Sequence, residues 1–483
     1  MDELRAKAAR DLEWAALLEG IAAYAPGAPA RDRILALMPA DDVEDAQRRQ
    51  RRTAAALTAL EGGAPLPSLG VPAVDEVLAH LRKGGVLTGE ALLEVLRVLT
   101  KAAVLRAYAR EAADAHPDLV NLLYVDPALE SSREALDRCL DERGTLRDGA
   151  SAALKQARGH VRAARKELLS VLSRLSQRYD DVLREQGYVE RDGRYGLPVR
   201  SDAHRKVEGI VLGASATGAT LYVEPPPVTA VSNRIRLGEE AVGREEARLF
   251  AELSATLRAQ IDALEAAYEA CVEADYLSAL CRYATAVRGR AIPLDDVPRI
   301  DLRRMRHPLL VGKTEAVVAN DLRLEAGEAM VVSGPNAGGK TVALKCLGLA
   351  VWMTRCGLPV PAAAGSEVGW FDAVLTDIGD NQSIERSLST FSAEVATLAA
   401  MLARADGRTL VLLDEVAGGT DPDEGAALAA SVLEALVAQG AAVAATTHYE
   451  RLKELAAEAG PFRNASVGFD FDAMQPTFCL HLG

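Results

Sequence analysis

The stretch that most constrains the fold of this chain is VVSGPNAGGKTVAL, residues 331–344. It fits the pattern GxxxxGK followed by Ser or Thr in full, after an apolar run and before a helical one. In this pattern backbone N–H groups face phosphate oxygens, the lysine neutralises the β- and γ-phosphate charges, and the hydroxyl group ligates Mg²⁺. The loop comprises Gly334, Pro335, Asn336, Ala337, Gly338, Gly339, Lys340 and Thr341. We therefore predict a site for ATP with Mg²⁺ as cofactor.

The sequence from about residue 300 onward alternates between strand and helix patterns. Four short apolar runs, AMVVSG, AVLTDIG, TLVLLDE and AAVAATTH, each lead into a turn or a helix. Such alternation is typical of a largely parallel sheet with helices on both faces. We predict an α/β domain of the P-loop ATPase type over residues 295–483.

An acidic pair and a histidine stand at the ends of two of these runs. Asp414 and Glu415 close TLVLLDE, and His448 closes AAVAATTH. After a P-loop, Asp414 suits the magnesium ion, and Glu415 is placed to orient or deprotonate the attacking water. Ligands bind at the carboxyl ends of strands in such sheets, so we predict that His448 contacts the γ-phosphate. The alternatives are helix capping by the acids and a structural role for the histidine.

The first part of the chain has helical periodicity. From about residue 10 to 140 apolar residues recur at turn spacing, with breaks at APGAPA and GGAPLPSLGVP. We interpret residues 1–150 as a helical core bundle with no recognisable chemistry.

Residues 151–290 are predicted to form two long helices. The first shows apolar residues at every seventh position: Leu154, Val161, Leu168, Leu175 and Val182. This spacing favours a helix of about 35 residues, or about 50 Å at about 1.5 Å per residue. The second is predicted from about 228 to 285, apolar at Leu249, Leu253, Leu257 and Ile261. We expect an antiparallel coiled arm, with an ordinary bundle pair as the alternative.

The segment between these helices, about 187–228, has a different character. Alternating Val, Ile, Leu and Tyr with many glycines predicts short strands joined by turns, a small β-rich tip. Residues 158–206 hold 12 Lys or Arg and 7 Asp or Glu, a balance of +5 in a chain of net charge −14. This sign favours phosphate-backbone contact over a merely solvated face. The predicted contacts are Arg191, Arg194, Arg200, Arg205 and Lys206.

Composition limits the remaining possibilities. Lys and Arg total 55 and Asp and Glu total 69, which argues against a protein coated with basic charge. The six cysteines never form a CxxC pair, so we expect reduced core residues. The N-terminus does not resemble a signal peptide, and no apolar run reaches the roughly 18 to 20 residues of a membrane span. We expect a cytoplasmic protein without a membrane partner.

Five segments in this order resemble the ATPase of the MutS family, and its short second branch most of all. They are GPNAGGKT, DIGDNQSI, SLSTFSAE, LLDEVAGGTDPDEGAALA and TTHYERLKELA. That branch is associated with recombination suppression and, in some bacteria, with rescue of collided ribosomes. The resemblance covers the helical core, arm and tip more loosely. It implies an ABC-type ATPase and a homodimer whose two protomers sandwich two ATP molecules.

The resemblance also implies roles for further residues. Gln382 would sense magnesium and nucleotide, Ser389 and Thr390 would reach the partner's γ-phosphate, and Asp421 would line the dimer seam. His448 would be the switch histidine. Two positions depart from the family pattern, since Ala417 replaces the usual glycine after the acidic pair and Asn381 replaces a common acidic residue. The geometry of both loops is therefore an open point.

Two further features of the family pattern are absent from this sequence. Without an N-terminal mismatch-reading module or a Phe-x-Glu wedge motif, we do not expect mismatch recognition. The sequence stops at PTFCLHLG, whereas this branch continues into a small nuclease-like domain, so we expect any endonuclease activity of the family to lie outside these residues.

The function that these features favour is an ATP-driven clamp. A homodimer would close an arm around branched or double-stranded DNA, with ribosomal RNA as the other substrate that the sequence leaves open. One alternative is the ABC ATPase of a transporter, in which the P-loop normally lies near the N-terminus and the signature is LSGGQ rather than LSTFSAE. The other alternative is a scaffold that binds nucleotide without hydrolysing it.

Overall fold

The structure is a computed structural model. It describes residues 3–191, 193–311, 317–335, 338–379, 389–417, 421–457, 460–470 and 475–483, without the side chains of 389–393 and 455–457. The chain divides into two compact units, each built from separated stretches. Unit 1 contains Met1–Ala73, Val104–Val125 and Glu269–Gly483, and unit 2 contains Val74–Ala103 and Asp126–Tyr268. The division into three segments made from the sequence stays a prediction.

Helices form most of the first 290 residues and alternate with strands afterwards. The helices up to residue 150 are α1 (Glu3–Asp11), α2 (Trp14–Ala22), α3 (Ala28–Leu35), α4 (Val43–Glu61), α5 (Asp75–Arg82), α6 (Gly89–Ala112), α7 (Pro117–Leu122) and α8 (Leu129–Cys139). The later helices are α9 (Ala152–Arg178), α10 (Pro226–Ala259), α11 (Ile261–Val287), α12 (Pro308–Val311), α13 (Lys340–Arg355), α14 (Ser389–Arg404), α15 (Pro422–Ala438) and α16 (Glu450–Ala457).

The strands fall into three sheets. The strands before residue 300 are β1 (Val189–Arg191), β2 (Arg194–Arg200), β3 (Ile210–Ala214), β4 (Thr220–Glu224) and β5 (Leu294–Asp295), and β6 (Arg299–Met305) follows them. The remaining strands are β7 (Asn320–Glu325), β8 (Ala329–Ser333), β9 (Glu367–Gly369), β10 (Ala373–Asp377), β11 (Thr409–Leu413), β12 (Ala442–Thr446), β13 (Phe462–Asp470) and β14 (Gln475–Leu482).

A six-stranded sheet in unit 1 positions the predicted ATP site. Its order is β10-β11-β12-β8-β13-β14, parallel except for β14, which runs antiparallel to β13. The four apolar runs noted in the sequence are β8, β10, β11 and β12, and they are parallel as predicted. β11 and β12 are buried along their whole length, which is why they read as continuous apolar runs rather than alternating ones.

The N-terminal helices of unit 1 pack beside this sheet. Gln50 and Thr53 on α4 donate hydrogen bonds to the carbonyl oxygens of Thr354 and Gly357, at the end of α13. A second sheet, in the order β5-β9-β6-β7, completes the unit. Residues far apart in sequence therefore share one core, since the first helices contact the helix that follows the P-loop.

Unit 2 contains a helical hairpin and a small sheet, and the strands of the sheet lie between the two helices in the sequence. Ion pairs join Arg158 to Glu246 and Arg165 to Glu239, so α9 and α10 run antiparallel. Apolar residues of both helices and of the sheet, which has the order β1-β2-β4-β3, form one buried cluster. The predicted short strands between two long helices are present.

Both predicted helix lengths were wrong. α9 ends at Arg178, because Val182 and Leu183 leave the helix and pair with the sheet: Val182 O accepts from Arg200 N, and Leu183 bridges Val199. Val182 is buried in this position. It is therefore apolar and fits the seven-residue spacing, although it lies outside the helix. The second helix is interrupted at Gln260, between α10 and α11.

The cysteines and the helices bear on two further expectations. All six cysteines lie in the described part of the chain as free thiols, and all but Cys479 are buried. Within the described residues, no helix combines the length and apolar character needed to cross a membrane.

Candidate nucleotide site

Three loops meet at the carboxyl edge of the six-stranded sheet. The P-loop follows β8, the acidic pair follows β11, and His448 follows β12, and these strands are neighbours in the order β11-β12-β8. Since parallel strands end at the same edge, segments separated by up to 108 residues come into contact. The site belongs to unit 1 alone.

The P-loop connects β8 to α13 through two glycines with positive φ. Gly334 has φ 135° and Gly339 has φ 92°, conformations that side chains rarely adopt. A Cβ atom on Gly334 would also lie 3.2 Å from the carbonyl oxygen of Val467. Gly338 N donates to Pro335 O at 3.0 Å, while Asn336 and Ala337 lie outside the described residues. The local backbone therefore requires glycine at two of the predicted positions.

Lys340, the first residue of α13, is buried with 2% of its surface exposed. Its Nζ donates to the carbonyl oxygen of Gly334 at 2.9 Å and lies 2.9 Å from His448 Nε2. Burial lowers the pKa of Lys340 below the ordinary lysine value, although the Glu415 and Asp414 carboxylates oppose this. The ammonium group thus faces the loop that is predicted to hold phosphate.

His448 lies between a cation and an anion. Its Nε2 is 2.9 Å from Lys340 Nζ and 3.1 Å from Glu415 Oε1. An imidazole nitrogen that carries a proton donates a hydrogen bond, and one without a proton accepts a hydrogen bond. His448 Nε2 therefore donates to Glu415 Oε1 when it carries the proton and accepts from Lys340 Nζ when it does not. The His448 and Glu415 side chains are 47% and 49% exposed, so this pair opens to solvent.

Asp414 and Thr341 supply oxygen atoms side by side. Thr341 Oγ1 donates to Asp414 Oδ2 at 2.7 Å, and Thr446 Oγ1 donates to Asp414 Oδ1. Thr446 Oγ1 also accepts from Glu415 N at 2.9 Å, so one buried hydroxyl orients both acids. Among the described residues, no group of three or more His, Cys, Asp or Glu could hold a metal ion. One carboxylate and one hydroxyl fit Mg²⁺, which takes few protein ligands and completes its shell with water and phosphate oxygens.

The loop after the acidic pair contains residues in the left-handed region. Glu415 has φ 52° and Ala417 has φ 58°. The family's usual glycine at position 417 would adopt this conformation without strain, whereas alanine adopts it at a cost. Ala417 is held from both sides, because its N donates to Glu394 Oε1 at 2.8 Å and its O accepts from Tyr449 Oη at 2.7 Å. Burial raises the pKa of Glu394, which the Ala417 N–H opposes.

A cavity of about 580 Å³ opens beside the P-loop. Its apolar lining includes Leu310, Leu322 and Phe478, and Lys340 also lines it. Phe478 on β14 has φ 57° and a 48% exposed surface, and Asn320 fixes the backbone there by donating to Phe478 O. A Cβ on Gly339 would lie 3.4 Å from the Phe478 ring. The sequence interpretation missed Phe478, because β14 lies far from the loop in sequence and no motif marks it.

Four residues assigned through the family resemblance are placed only in part. Gln382, like Asn381, lies outside the described residues, and Ser389 and Thr390 begin α14 without described side chains. Asp421 caps α15, its side chain accepting from the N–H groups of Asp423 and Glu424. Their assignment to a second protomer stays a prediction.

The predicted nucleic-acid contacts lie in unit 2, and three of the five have partners within it. Arg191 stacks over Tyr222 at 4.2 Å from the ring centre, and Arg200 lies 3.6 Å from Asp202. Arg194 pairs with Glu224, whose surface is fully buried. The other two predicted contacts, Arg205 and Lys206, are exposed in a short 3₁₀ turn, and among the described residues neither forms an ion pair. A nucleic-acid-binding role for any of the five stays a prediction.

Comparisons with known proteins relate the chain to one family. Residues 330–482 match the family model described as MutS domain V. The chain is 39% identical to "Endonuclease MutS2" of Pelotomaculum thermopropionicum over 485 aligned residues, covering 99% of this chain and 61% of that protein. It is 38% identical to the protein of the same name from Gemmatimonas aurantiaca, covering 98% and 59%, and 36% identical to that of Geobacillus thermodenitrificans, covering 99% and 62%. The chain thus spans about three fifths of the length of these curated relatives. The transporter alternative has no support in these comparisons.

Proposed function

The chain belongs to the MutS2 family, and from that premise we propose that it binds nucleic acid in a manner controlled by ATP binding and hydrolysis. The observation that carries the proposal is the convergence of Lys340, His448 and Glu415 at the carboxyl edge of the sheet, with contacts of 2.9 and 3.1 Å. A cation, an imidazole and a carboxylate beside a P-loop suit phosphoryl transfer to water.

Lys340 and the P-loop bind the phosphates in this proposal. Lys340 Nζ now has the Gly334 carbonyl and His448 as acceptors. A γ-phosphate oxygen is a charged acceptor and therefore a stronger one. Nucleotide binding then draws Lys340 away from His448, whose Nε2 is left to donate to the phosphate or to Glu415.

Glu415 is the candidate catalytic base. Its carboxylate is half exposed and lies at the same edge as the phosphate loop, where it can orient or deprotonate a water. Thr341 and Asp414 would hold Mg²⁺, which neutralises charge on the phosphates when bound there. Thr446 holds Asp414 and the backbone of Glu415 in place during this reaction.

The cavity beside the P-loop is the candidate adenine pocket. It has an apolar wall, adjoins Gly339, Lys340 and Thr341, and presents the exposed ring of Phe478. An aromatic face of this kind stacks on a nucleobase regardless of which base it is. The base therefore lies on the β14 side while the phosphates follow the loop towards His448.

Hydrolysis is tested with two variants that separate binding from chemistry. Lys340→Ala removes the phosphate-binding charge, so ATP affinity falls. Glu415→Gln leaves the loop intact, so ATP binds but turnover stops. Equal loss of ATP affinity in both variants would refute these roles, and steady phosphate release that persists in Glu415→Gln would refute Glu415 as the base. Absence of hydrolysis by the wild type would favour the scaffold alternative.

Two protomers complete each ATP site in this proposal, which rests on the family arrangement. Ser389 and Thr390 of one protomer approach the γ-phosphate held by Lys340 of the other, with Gln382 and Asp421 at the same interface. Ser389→Arg and Lys340→Ala proteins should each fail to close with ATP. Mixed after subunit exchange, they should regain one intact site, seen as crosslinking across the interface. A mixture as inert as its parents, despite proven exchange, contradicts a composite site.

The nucleic-acid surface includes the exposed turn of unit 2. Replacing Arg205 and Lys206 by Gln should weaken binding and reduce its salt dependence by about 0.9 log units per lost contact on duplex DNA. The double variant Lys83→Gln with Lys155→Gln, which removes the same charge from two exposed lysines elsewhere in unit 2, is the matched control. An unchanged salt slope in the variant that lacks Arg205 and Lys206 would place the nucleic-acid surface elsewhere.

A competition binding experiment decides between DNA and ribosomal RNA as substrate. It compares four-way junction DNA, duplex DNA and purified ribosomes, with and without ATP.

A further inference from the structure

The first helix of the chain is fastened to the strand that ends beside the acidic pair. Asp11, the last residue of α1, uses one oxygen, Oδ2, to accept from Lys7 Nζ at 2.7 Å, Thr376 Oγ1 at 2.8 Å and Ile378 N at 3.2 Å. Lys7 Nζ also lies 2.9 Å from Asp377 Oδ1. Lys7 and Asp11 belong to α1, Thr376 and Asp377 end β10, and Ile378 directly follows that strand.

These contacts are shielded from solvent. Thr376 is 1% exposed, and the side chain of Asp11 is 12% exposed. Burial opposes the charge on Lys7, but hydrogen bonds to Asp11 and Asp377 prevail and raise its pKa. Breaking such a group leaves buried donors without an acceptor, so the local structure has to shift rather than simply admit water.

The strand that Asp11 holds is the immediate neighbour of the strand carrying Asp414. β10 and β11 pair in parallel, and Asp377 O accepts from Asp414 N at 2.8 Å. Asp414 in turn accepts from Thr341 at 2.7 Å. A continuous set of hydrogen bonds therefore leads from Asp11 through the end of β10 to the candidate magnesium carboxylate.

We propose that Asp11 is a positioning residue for Asp414, acting through Thr376 and Ile378 at the end of β10. This inference rests on the proposed function, since it assigns the control of that site to the N-terminal helix. When α1 holds β10 in register, the backbone at Asp377 fixes the N–H of Asp414 and so aims its carboxylate at Thr341. A displacement of α1 loosens the metal end of the site while the P-loop glycines and Lys340 are unaffected.

If Asp11 positions Asp414, its loss should reduce magnesium coupling, which is the gain in nucleotide affinity that Mg²⁺ provides. Nucleotide binding in general should not be lost. In the wild type a fluorescent ATP analogue should bind more tightly with Mg²⁺ than in EDTA. In Asp11→Asn the ratio of these two affinities should fall at least fivefold, while the affinity in EDTA stays within twofold of wild type. Thr376→Val, which removes only the hydroxyl donor, should shift the ratio in the same direction by a smaller factor. Asp11→Asn keeps an acceptor oxygen but removes the negative charge, so it weakens these hydrogen bonds. The double variant should shift the ratio by less than the two single changes combined, since both changes act on the same contact.

Asp41→Asn is the matched control. It removes the ion pair that Arg5 of α1 makes with Asp41 at 3.0 Å and leaves all the contacts of Asp11 intact. Its magnesium ratio should equal that of the wild type, and thermal unfolding of each variant separates a change of stability from a change of coupling. If Asp11→Asn does not fold, Thr376→Val carries the same comparison.

The possible outcomes distinguish a failure of the positioning role of Asp11 from a failure of the proposed function. A wild type that binds the analogue with magnesium coupling, together with unchanged ratios in Asp11→Asn and Thr376→Val, overturns the positioning role alone. An equal shift in Asp41→Asn overturns it as well, because the effect would then belong to helix stability. A wild type that binds no ATP analogue overturns the proposed function itself.

Discussion

Phe478 offers a direct test of where the adenine base binds. Its ring is about half exposed on the wall of the cavity beside the P-loop, so replacing it should cost little stability. Stacking of a base on an aromatic side chain contributes about 1 to 3 kcal/mol. At about 1.4 kcal/mol for each factor of ten, Phe478→Ala should weaken ATP binding by about 5-fold to about 150-fold.

The assay compares ATP with tripolyphosphate, which has the phosphates but no base. Competition against a fluorescent nucleotide gives both affinities for the wild type, Phe478→Ala and Phe478→Tyr. The alanine variant should lose affinity for ATP and keep its affinity for tripolyphosphate, while tyrosine restores the stacking face and should bind ATP nearly normally. Tyr124→Ala, at an aromatic residue that is 65% exposed and does not line the cavity, is the control.

Two results would refute the reasoning. ATP affinity within twofold of wild type in Phe478→Ala would mean that the base does not lie on this wall. An equal loss for ATP and tripolyphosphate would mean that the ring supports the P-loop through its contact near Gly339 instead of touching the base.

Three further substitutions have expected outcomes. Arg194→Gln should lower the free energy of unfolding by about 3 kcal/mol, because it strands the fully buried Glu224 carboxylate; urea denaturation measures this, and a change below about 0.5 kcal/mol would contradict it. Thr446→Val should reduce the hydrolysis rate about tenfold while Thr446→Ser retains it, since the hydroxyl orients both acids; equal rates in the two variants would refute this. Asp275→Ala should destabilise the fold by about 3 kcal/mol, because its buried carboxylate accepts from three backbone N–H groups, and an unfolding midpoint equal to that of wild type would exclude that role.

The residues predicted for the nucleotide site lie together in the structure because each of them belongs to a short local signal. The P-loop pattern, the acids after TLVLLDE and His448 after AAVAATTH each follow a buried strand. Parallel pairing then brings them together without any further information, as the contacts of Lys340 with His448 illustrate. Strand type and motif position were sufficient for this part of the fold.

The predictions that were wrong or missing concern residues whose positions depend on tertiary packing. Val182 continues the seven-residue apolar spacing of α9, yet it lies beyond the end of the helix and is buried in the cluster that the two helices share with the small sheet. An apolar residue at a helical spacing indicates only that its side chain is buried. Pairing with the edge of β2 buries Val182 without extending the helix. Phe478 and Asp11 were missed for the same reason, since each lies beside a segment more than 100 residues away in sequence.

The arrangement of Lys340, Thr341 and Asp414 affects how ATP affinity should be interpreted. Each group already has a partner: Lys340 bonds to Gly334 O, and Thr341 bonds to Asp414. A magnesium nucleotide would exchange these hydrogen bonds for charged ones, so the net gain is the difference between the two sets and not the sum of the new contacts. The existing bonds also hold the side chains near the positions that the phosphates require, which reduces the entropy lost on binding. Loss of Asp414 alignment should therefore appear first in the magnesium dependence of binding, while the contacts of the phosphates with the loop persist.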